Sequence, residues 1–371
     1  MLRAYTPLSL ARRGAGGEVL HRDNEIIMKT TRTAVVGYGR WGRLCHVPLI
    51  QSAPGLELAG VVSGDPAKRE QICSTLDCRA YATFNEVLAD DGVDAVVLAT
   101  PNDTHADYTV RALEAGKHVV TDKPMCLSLD ECDRMIAAAQ RSGKLLTVFQ
   151  NRRRDGDFLT LQSLIAEGAL GDVRWIEMAW QSFSPPGGWR GRVEQGGGRF
   201  FDLGAHLIDQ MLLLFPGKVE SVYCRMHHDF PNSEVESEAF IVLGFEGGAT
   251  GICDMSSLAA ISKPRFYARG TVGTFIKSGL DPQEAALMKG DIDAAVENPE
   301  TYGRLSEKQG DKQGQRVVPT QPGRWRDFYE NFAQAAAGEA EPIVTLDEAR
   351  LLMAVFDAGL RSAREGQVMR L

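Results

Sequence analysis

Apolar residues in the first half of the chain form short runs separated by amphipathic stretches. Strand-like runs occupy residues 33–36, 56–62, 94–99, 118–121 and 145–149, and helical stretches begin at about Gly42 and cover residues 106–115 and 129–141. The run at 94–99 is almost continuously apolar, which is typical of a strand buried on both faces. This alternation predicts an α/β Rossmann domain, a doubly wound parallel sheet, over residues 30–150.

The pattern changes after Asn151. Residues 158–167 predict a helix, residues 173–180 alternate like a strand, and a helix containing Asp202 ends near Pro216. Further strands are predicted over 219–226, 239–245, 250–256, 265–270 and 273–277, then a loop-rich insertion over 281–323 and helices over 324–337 and 346–365. Short strands separated by glycine-rich turns favour an antiparallel or mixed sheet, and we predict an α+β domain over residues 151–371 with a large, mostly antiparallel open sheet. We expect its open face to form a homodimer or homotetramer.

Composition indicates the cellular compartment of the protein and excludes some classes of binding partner. The 371 residues carry a net charge of −8, which argues against nucleic acid or an anionic membrane as the general partner. The seven cysteines include no C-x-x-C pair, so we expect free thiols in a reducing compartment, the cytoplasm. No apolar run is long enough to span a membrane. Residues 1–29 have no period and carry their Arg12–Arg13 pair after the weak apolar stretch, so we interpret them as a disordered extension rather than a signal peptide.

A glycine pattern follows the first predicted strand. The residues Gly37, Tyr38, Gly39, Arg40, Trp41 and Gly42 form G-x-G-x-x-G between a strand and a helix. Gly37 permits the tight turn, Gly39 lets the backbone approach a pyrophosphate, and Gly42 lets the helix pack closely on the sheet. The alternative is a plain turn between strand and helix. The context favours a dinucleotide site.

The end of the second strand bears on the type of cofactor. A carboxylate there usually binds the ribose 2′-hydroxyl of NAD, but this chain has Ser63, followed by Lys68 and Arg69. A serine hydroxyl and a nearby cation suit a 2′-phosphate, so we predict NADP(H) as the preferred cofactor, with NAD(H) possible. Asp65 argues against this preference, because its carboxylate would bind the ribose 2′-hydroxyl of NAD if the strand ends two residues later.

Polar residues also follow the next two strands, at the edge where ligands bind in such sheets. Thr100, Pro101 and Asn102 follow the third strand, and we expect Thr100 and Asn102 to hydrogen-bond the nicotinamide side of the cofactor. The alternative is an ordinary capping turn. We expect His105 to pack near the cofactor. Lys123, after the next strand, is placed to stabilise a developing alkoxide.

The substrate side is expected to carry a carboxylate and an imidazole. Asp202 and His206 are four residues apart, so both lie on one face of a helix. Together with a nucleotide cofactor, this pair suggests oxidation or reduction of an alcohol. Arg152, the first of three arginines after the last Rossmann strand, is a candidate for binding substrate, with a solvated basic turn as the alternative. Trp180 and Trp189 either wall a sugar-like ring or belong to the core.

Four motifs occur in an order that resembles a known family. They are GYGRWG at Gly37–Gly42, ATPNDTH at residues 99–105, DKP at residues 122–124 and DLGAHLID at residues 202–209. Over residues 31–371 the chain resembles the glucose–fructose oxidoreductase, inositol dehydrogenase and rhizopine-catabolism (Gfo/Idh/MocA) family. The serine that ends the second strand and the NRRRDGDF segment at 151–158 resemble its NADP-dependent scyllo-inositol dehydrogenase branch.

The resemblance implies a role for each matching residue. His206 would be the general base, Asp202 would orient the substrate and His206 and favour the imidazolium form, and Lys123 would supply the positive charge that a metal supplies elsewhere. These three and Arg152 would contact the substrate, Lys123 would also contact the cofactor, and no metal is required. Asp122 stands where the family usually has glutamate.

The implied activity is hydride transfer between nicotinamide and a hydroxyl of a polyol or sugar, with an inositol as the first candidate. Two alternatives remain open. One is a non-catalytic NAD(P)-binding regulator, and the other is an NAD-dependent glycosidase of the same fold.

Overall fold

The computed structural model describes residues 30–309 and 312–371, so the extension predicted over residues 1–29 lies outside the described residues. Six parallel strands form the first sheet: β1 (Thr31–Val36), β2 (Leu56–Val62), β3 (Arg79–Tyr81), β4 (Ala95–Leu98), β5 (His118–Thr121) and β6 (Leu146–Val148). Their order is β3-β2-β1-β4-β5-β6. The strand order reverses between β1 and β4, and ligands of doubly wound sheets bind at that point.

Helices connect these strands. A π-helical turn at Gly42–His46 continues into α1 (Val47–Ser52), and α2 (Pro66–Thr75), α3 (Phe84–Leu88), α4 (His105–Glu114) and α5 (Leu129–Ser142) follow. The sequence did not predict α2, β3 and α3. The helix α2 buries only Ile72, so it has no apolar stripe. The strand β3 has three residues and the helix α3 has five, which is too few for a hydrophobic period to be recognised.

The second sheet has nine strands and follows helix α6 (Gly156–Ala166). It contains β7 (Val173–Gln181), β8 (Val219–His227), β9 (Glu238–Phe245), β10 (Thr250–Ser256), β11 (Phe266–Gly270) and β12 (Gly273–Lys277). The helix α7 (Arg199–Leu214) lies between β7 and β8 in the chain and packs on the sheet. Only β7 and β10 pair in parallel, so the prediction of a mostly antiparallel sheet is confirmed.

The prediction of a loop-rich insertion over 281–323 was wrong. The segment contains α8 (Gln283–Met288) and a hairpin of β13 (Gly303–Gln309) and β14 (Lys312–Val318), which extends the sheet at one edge. The hairpin is polar along most of its length and buries Leu305 and Val318, so it lacks the alternation of a half-buried strand. The six residues of α8 are too few to show a helical period.

Two helices and a short strand end the chain and connect the two domains. The helix α9 (Arg326–Ala336) packs against α1 and β2, and α10 (Leu346–Glu365) packs against α5, β6 and β8. A capping box fixes the start of α10, because Thr345 and Glu348 each bond the other's backbone N–H. The strand β15 (Met369–Arg370) then pairs with β8.

All seven cysteines lie in the described residues, and each is a free thiol; five of them are buried. Within those same residues, no helix has the length and apolar character to cross a membrane.

Candidate active site

A cavity of about 640 Å³ lies between the two domains, at the carboxyl ends of β1, β4 and β5. The first domain contributes the glycine turn, Thr100–Asn102 and the pair Asp122 and Lys123. The second domain contributes Arg152, Trp180, Trp189, Arg190, Asp202 and His206, and α8 adds Glu284. The predicted cofactor and substrate residues therefore largely meet in one place, although 165 residues separate Gly37 from Asp202 in the chain.

The glycine turn has the shape that a dinucleotide phosphate requires. Gly37 has φ 107°, and a Cβ there would lie 2.4 Å from the carbonyl oxygen of Ala99. A Cβ on Gly42 would lie 2.0 Å from the carbonyl oxygen of Gly37, so the helix begins in direct contact with the turn. Nothing lies within 4 Å of a Cβ on Gly39, so that position faces open space. The turn thus fits a nicotinamide dinucleotide, with its phosphates over Gly39 and the helix start. Arg40 and Trp41 also line the cavity, and Tyr38 and Gly42 are buried beside it.

Asp65 and Arg69, which follow β2 and bear on the type of cofactor, both make hydrogen bonds within their own segment. The carboxylate of Asp65 caps α2 by accepting from the N–H of Ala67 at 3.0 Å. Arg69 donates to the carbonyl oxygen of Ser63 at 2.8 Å, which brings its guanidinium to the end of the strand. Ser63 is buried and Lys68 is exposed, and neither is among the residues that line the cavity.

The turn after β4 joins the two domains. The side-chain amide of Asn102 donates to the carbonyl oxygen of Gly196 at 2.9 Å, so the group expected to bind nicotinamide is already bonded to the second domain. The hydroxyl of Thr100 bonds that of Thr104 at 2.6 Å. His105 is fully buried, with its ring nitrogens 2.9 Å and 3.1 Å from the carbonyl oxygens of Pro124 and Thr100. His105 therefore holds two cavity turns together and lies behind the lining.

Lys123 and Asp202 form an ion pair in the cavity. The ammonium of Lys123, which precedes a cis peptide bond to Pro124, donates to the Asp202 carboxylate at 3.1 Å and to its backbone oxygen at 2.6 Å. Arg190 donates to the same carboxylate at 3.2 Å. Burial alone would raise the pKa of Asp202, but the charges of Lys123 and Arg190 outweigh it and lower that pKa to about 2. Asp202 is thus ionised throughout the neutral range.

The position of Asp202 follows from the way α7 begins. Gly198 precedes the helix with φ 100°, and a Cβ there would lie 2.4 Å from the carboxylate of Glu236. That carboxylate accepts from the N–H of Phe200 at 2.6 Å and so caps the helix from a distant loop. Asp202 lies in the first turn that this contact fixes.

His206 lies one turn further along α7 and is buried against Trp180, with ring centroids 5.7 Å apart and planes at 24°. Burial, and then the positive charges of Lys123 and Arg152, lower the pKa of His206 well below its usual range. The expectation that Asp202 favours the imidazolium form of His206 was wrong. The carboxylate turns instead to Lys123 and Arg190, and Nδ1 of His206 has no hydrogen-bond partner among the described residues. The imidazole is therefore neutral and able to accept a proton.

Of the three consecutive arginines, only Arg152 lines the cavity. Its guanidinium is buried between Trp180 and Trp325, 4.6 Å and 4.8 Å from the ring centroids. Arg153 turns away to form a buried bidentate pair with Asp209, at 2.6 and 2.8 Å.

The sequence did not identify Arg190 or the contact that His46 makes. Arg190 and Trp189 come from a loop with no periodic pattern, and the guanidinium lies 4.5 Å from the ring centroid of Trp189. Buried His46 bonds the hydroxyl of Tyr329 through Nδ1 at 2.6 Å and lies 3.5 Å from Asp122 through Nε2. The position of His46 in the helix after the glycine turn was the only signal available for this contact.

Two family models match the chain. The first, an oxidoreductase family with an NAD-binding Rossmann fold, matches residues 31–150, and the second, the GFO/IDH/MocA C-terminal domain, matches residues 158–276. The uncharacterized oxidoreductase YdgJ of Escherichia coli is 33% identical over 90% of this chain and 96% of its own length. The scyllo-inositol 2-dehydrogenase (NADP(+)) IolW of Bacillus subtilis is 29% identical over 92% of this chain and 96% of its own.

Solved structures agree with these matches. The putative oxidoreductase yvaA of Bacillus subtilis superposes with a TM-score of 0.87 at 28% identity, covering 93% of this chain and 99% of that one. A putative oxidoreductase of Klebsiella pneumoniae gives 0.82 at 34% identity, covering 92% and 95%.

Proposed function

Since the chain belongs to the Gfo/Idh/MocA oxidoreductase family, we propose that it is an NADP-preferring dehydrogenase that acts on a hydroxyl of a polyol or sugar, with an inositol as the first candidate. The observation that carries this proposal is the meeting of Lys123, Asp202 and His206 in one cavity with the glycine turn. A protein that only binds cofactor has no need of an acid–base group and a cation at that place.

The three side chains have separate roles in removing the hydroxyl proton of the substrate. A neutral His206 accepts the hydroxyl proton of the substrate, which is the role of a general base. The ammonium of Lys123 stabilises the negative charge that develops on the same oxygen. Asp202 keeps Lys123 oriented through the 3.1 Å contact and balances its charge. A bound nicotinamide supplies the acceptor for the hydride.

Substitution of the two reacting side chains tests this division. Lys123→Met and His206→Ala should each lower kcat by about 100-fold or more, the usual cost of losing an electrostatic or acid–base group. The dissociation constant for NADP(H) should change little in His206→Ala. Exposed His227 gives a matched control, because His227→Ala should behave as the unchanged protein. Near-normal turnover in both site variants would remove the mechanism.

The preference for NADP(H) rests on the end of β2. The carboxylate of Asp65 is engaged in capping α2 through Oδ1, and the residue that directly follows β2 is the neutral Ser63. Arg69 donates to the backbone carbonyl oxygen of Ser63, and Lys68 is exposed on the same helix, so two cations are available at this end of β2 for a 2′-phosphate. The relative IolW is named as an NADP(+) enzyme. Comparing kcat/KM with the two cofactors tests the preference, and a clear advantage for NAD(H) contradicts it.

The choice of a polyol or sugar rests on the cavity wall. Trp180 and Trp189 give aromatic surface beside polar and charged groups, a combination that suits a ring with many hydroxyls. A panel of inositols, sugars and their keto forms, assayed with both cofactors, identifies the substrate. Net NADPH production from a free polyol supports the dehydrogenase, whereas release of a sugar from a glycoside without net cofactor change supports the glycosidase.

We also propose that the protein is a homodimer or homotetramer that associates through the nine-stranded sheet. A row of apolar side chains crosses one face of it, and all but the buried Ile252 are partly exposed. The row is Tyr223, Val242, Ile252, Tyr267 and Ile276; neighbours in it pair directly across adjacent strands, except that Ile252 and Tyr267 both pair with Glu177 between them. Light scattering coupled to size exclusion measures the mass. Tyr267→Asp should lower it, and a monomer for the unchanged protein contradicts the proposal.

A further inference from the structure

Glu284 is a cavity residue that neither family model reaches, since the second match ends at residue 276. It lies on α8 with its side chain 37% exposed, and its carboxylate is ion-paired to Arg152. The remaining carboxylates of the lining, Asp122 and Asp202, are much less exposed, at 14% and 13%. Glu284 is therefore the most accessible carboxylate that a substrate meets.

The start of α8 is anchored to the core of the domain, which fixes the place of Glu284. The side chain of Gln283 donates to the carbonyl oxygen of Arg154 at 3.1 Å and accepts from the N–H of Trp325 at 2.7 Å. Just before it, Asp281 accepts from the N–H of Gly156 at 2.7 Å. Because these partners belong to two segments far apart in the chain, residues 154–156 and Trp325, the carboxylate is presented by a rigid support.

Arg152 orients the carboxylate without using up its hydrogen-bonding capacity. The guanidinium is held by Asp155 at 3.3 Å, by Glu284 and by the two flanking tryptophans, and its Nε has no hydrogen-bond partner among the described residues. A carboxylate offers about four acceptor positions, and Arg152 occupies one of them. The others are available to hydroxyl donors in the cavity.

We propose that Glu284 is a specificity-determining residue that accepts hydrogen bonds from hydroxyls of a neutral polyol and disfavours substrates that carry a carboxylate on the same ring. The inference rests on the proposed dehydrogenase function and assigns part of its selectivity. A hydroxyl meets the carboxylate of Glu284 as a hydrogen-bond donor, whereas a substrate carboxylate at the same place brings a like charge against it and has no hydrogen to donate.

Glu284→Gln, which keeps the shape and removes the charge, tests the assignment with scyllo-inositol as one probe and D-glucose and D-glucuronate as a matched pair. We expect KM for scyllo-inositol to rise about 10-fold or more, the size of one lost hydrogen bond to a charged group, with kcat within about threefold. The ratio of kcat/KM for glucuronate to that for glucose should rise by about 10-fold. Glu284→Asp should recover part of the affinity, and exposed Glu300→Gln on the same segment should leave every value unchanged.

Three results overturn the inference: a KM in Glu284→Gln equal to that of Glu300→Gln, an unchanged glucuronate-to-glucose ratio, or a fall in kcat and thermal stability that Glu284→Asp does not relieve. The last would mean that the residue only supports the fold. If the unchanged protein turns over none of the polyols, sugars or keto forms, the proposed function itself fails, and the inference fails with it.

Discussion

Asp202→Asn removes the charge at the centre of the site while keeping the size and shape of the side chain. In the folded protein, Lys123 and Arg190 lower the pKa of Asp202 from its ordinary 3.8 to about 2 despite burial. At 1.36 kcal/mol per pKa unit this shift corresponds to ~2.5 kcal/mol of stabilisation of the ionised form. The side chain is 13% exposed, so solvent screening takes away little of it.

The sign of the pH dependence follows from the direction of the shift. A carboxyl whose pKa is lower in the folded state contributes stability that is fully present above the unfolded value, near 4, and is lost as the pH falls toward 2. Asparagine resembles the protonated acid. The variant should therefore be about 2.5 kcal/mol less stable than the unchanged protein at pH 7, and the difference should shrink between pH 4 and pH 2.

Urea unfolding measures this difference at a series of pH values. Tryptophan fluorescence is a suitable signal, because Trp180 and Trp189 line the same cavity. Asp91→Asn serves as the control, since Asp91 is exposed in a turn far from the site. Equal stability of Asp202→Asn and the unchanged protein at pH 7, or a difference that persists unaltered below pH 3, would refute the electrostatic account of this ion pair.

Three further predictions address the base, the support behind the site and the cofactor turn. Because the pKa of His206 is well below its usual range, kcat/KM for oxidation should hold at pH 6 and decline only as the pH falls through that lowered value; Lys123→Met should move the decline to higher pH in a pH–rate profile. Tyr329→Phe leaves Nδ1 of buried His46 without its partner and should cost about 1–3 kcal/mol in urea unfolding, whereas no loss would show that the contact is dispensable. Gly39→Ala should leave the melting temperature unchanged and weaken NADP(H) binding by about 10-fold or more in a calorimetric titration, and unaltered affinity would argue against phosphate at that turn.

The cofactor half of the site was largely predictable from the sequence. Strong apolar runs and the glycine pattern locate the carboxyl ends of β1, β4 and β5. Lys123 follows β5 directly, and this position is enough to predict that it lies at the same edge of the sheet. Local patterns suffice in this half because the connection rules of a doubly wound parallel sheet bring the carboxyl ends of β1, β4 and β5 to one edge. Ser63 is the exception, since its use depends on where the side chain of Arg69 folds back.

The substrate half was predictable only in part. Helical spacing places Asp202 and His206 on one face, but it does not show that Lys123, from the other domain, is the partner that Asp202 chooses. Glu284 was missed because it lies on a helix of six residues inside a polar segment. These contacts join segments that are far apart in the chain, and the local pattern of apolar and polar residues does not indicate which distant segments pack together.

The hydrogen bond between His46 and Tyr329 spans 283 residues and connects the helical turn after the glycine pattern to α9. It has a consequence for the order of folding. The helix α9, which carries Tyr329, also packs against α1 and β2 of the first domain. Without α9, the buried imidazole of His46 lacks its hydrogen-bond partner, so the first domain should reach its full packing only together with the second.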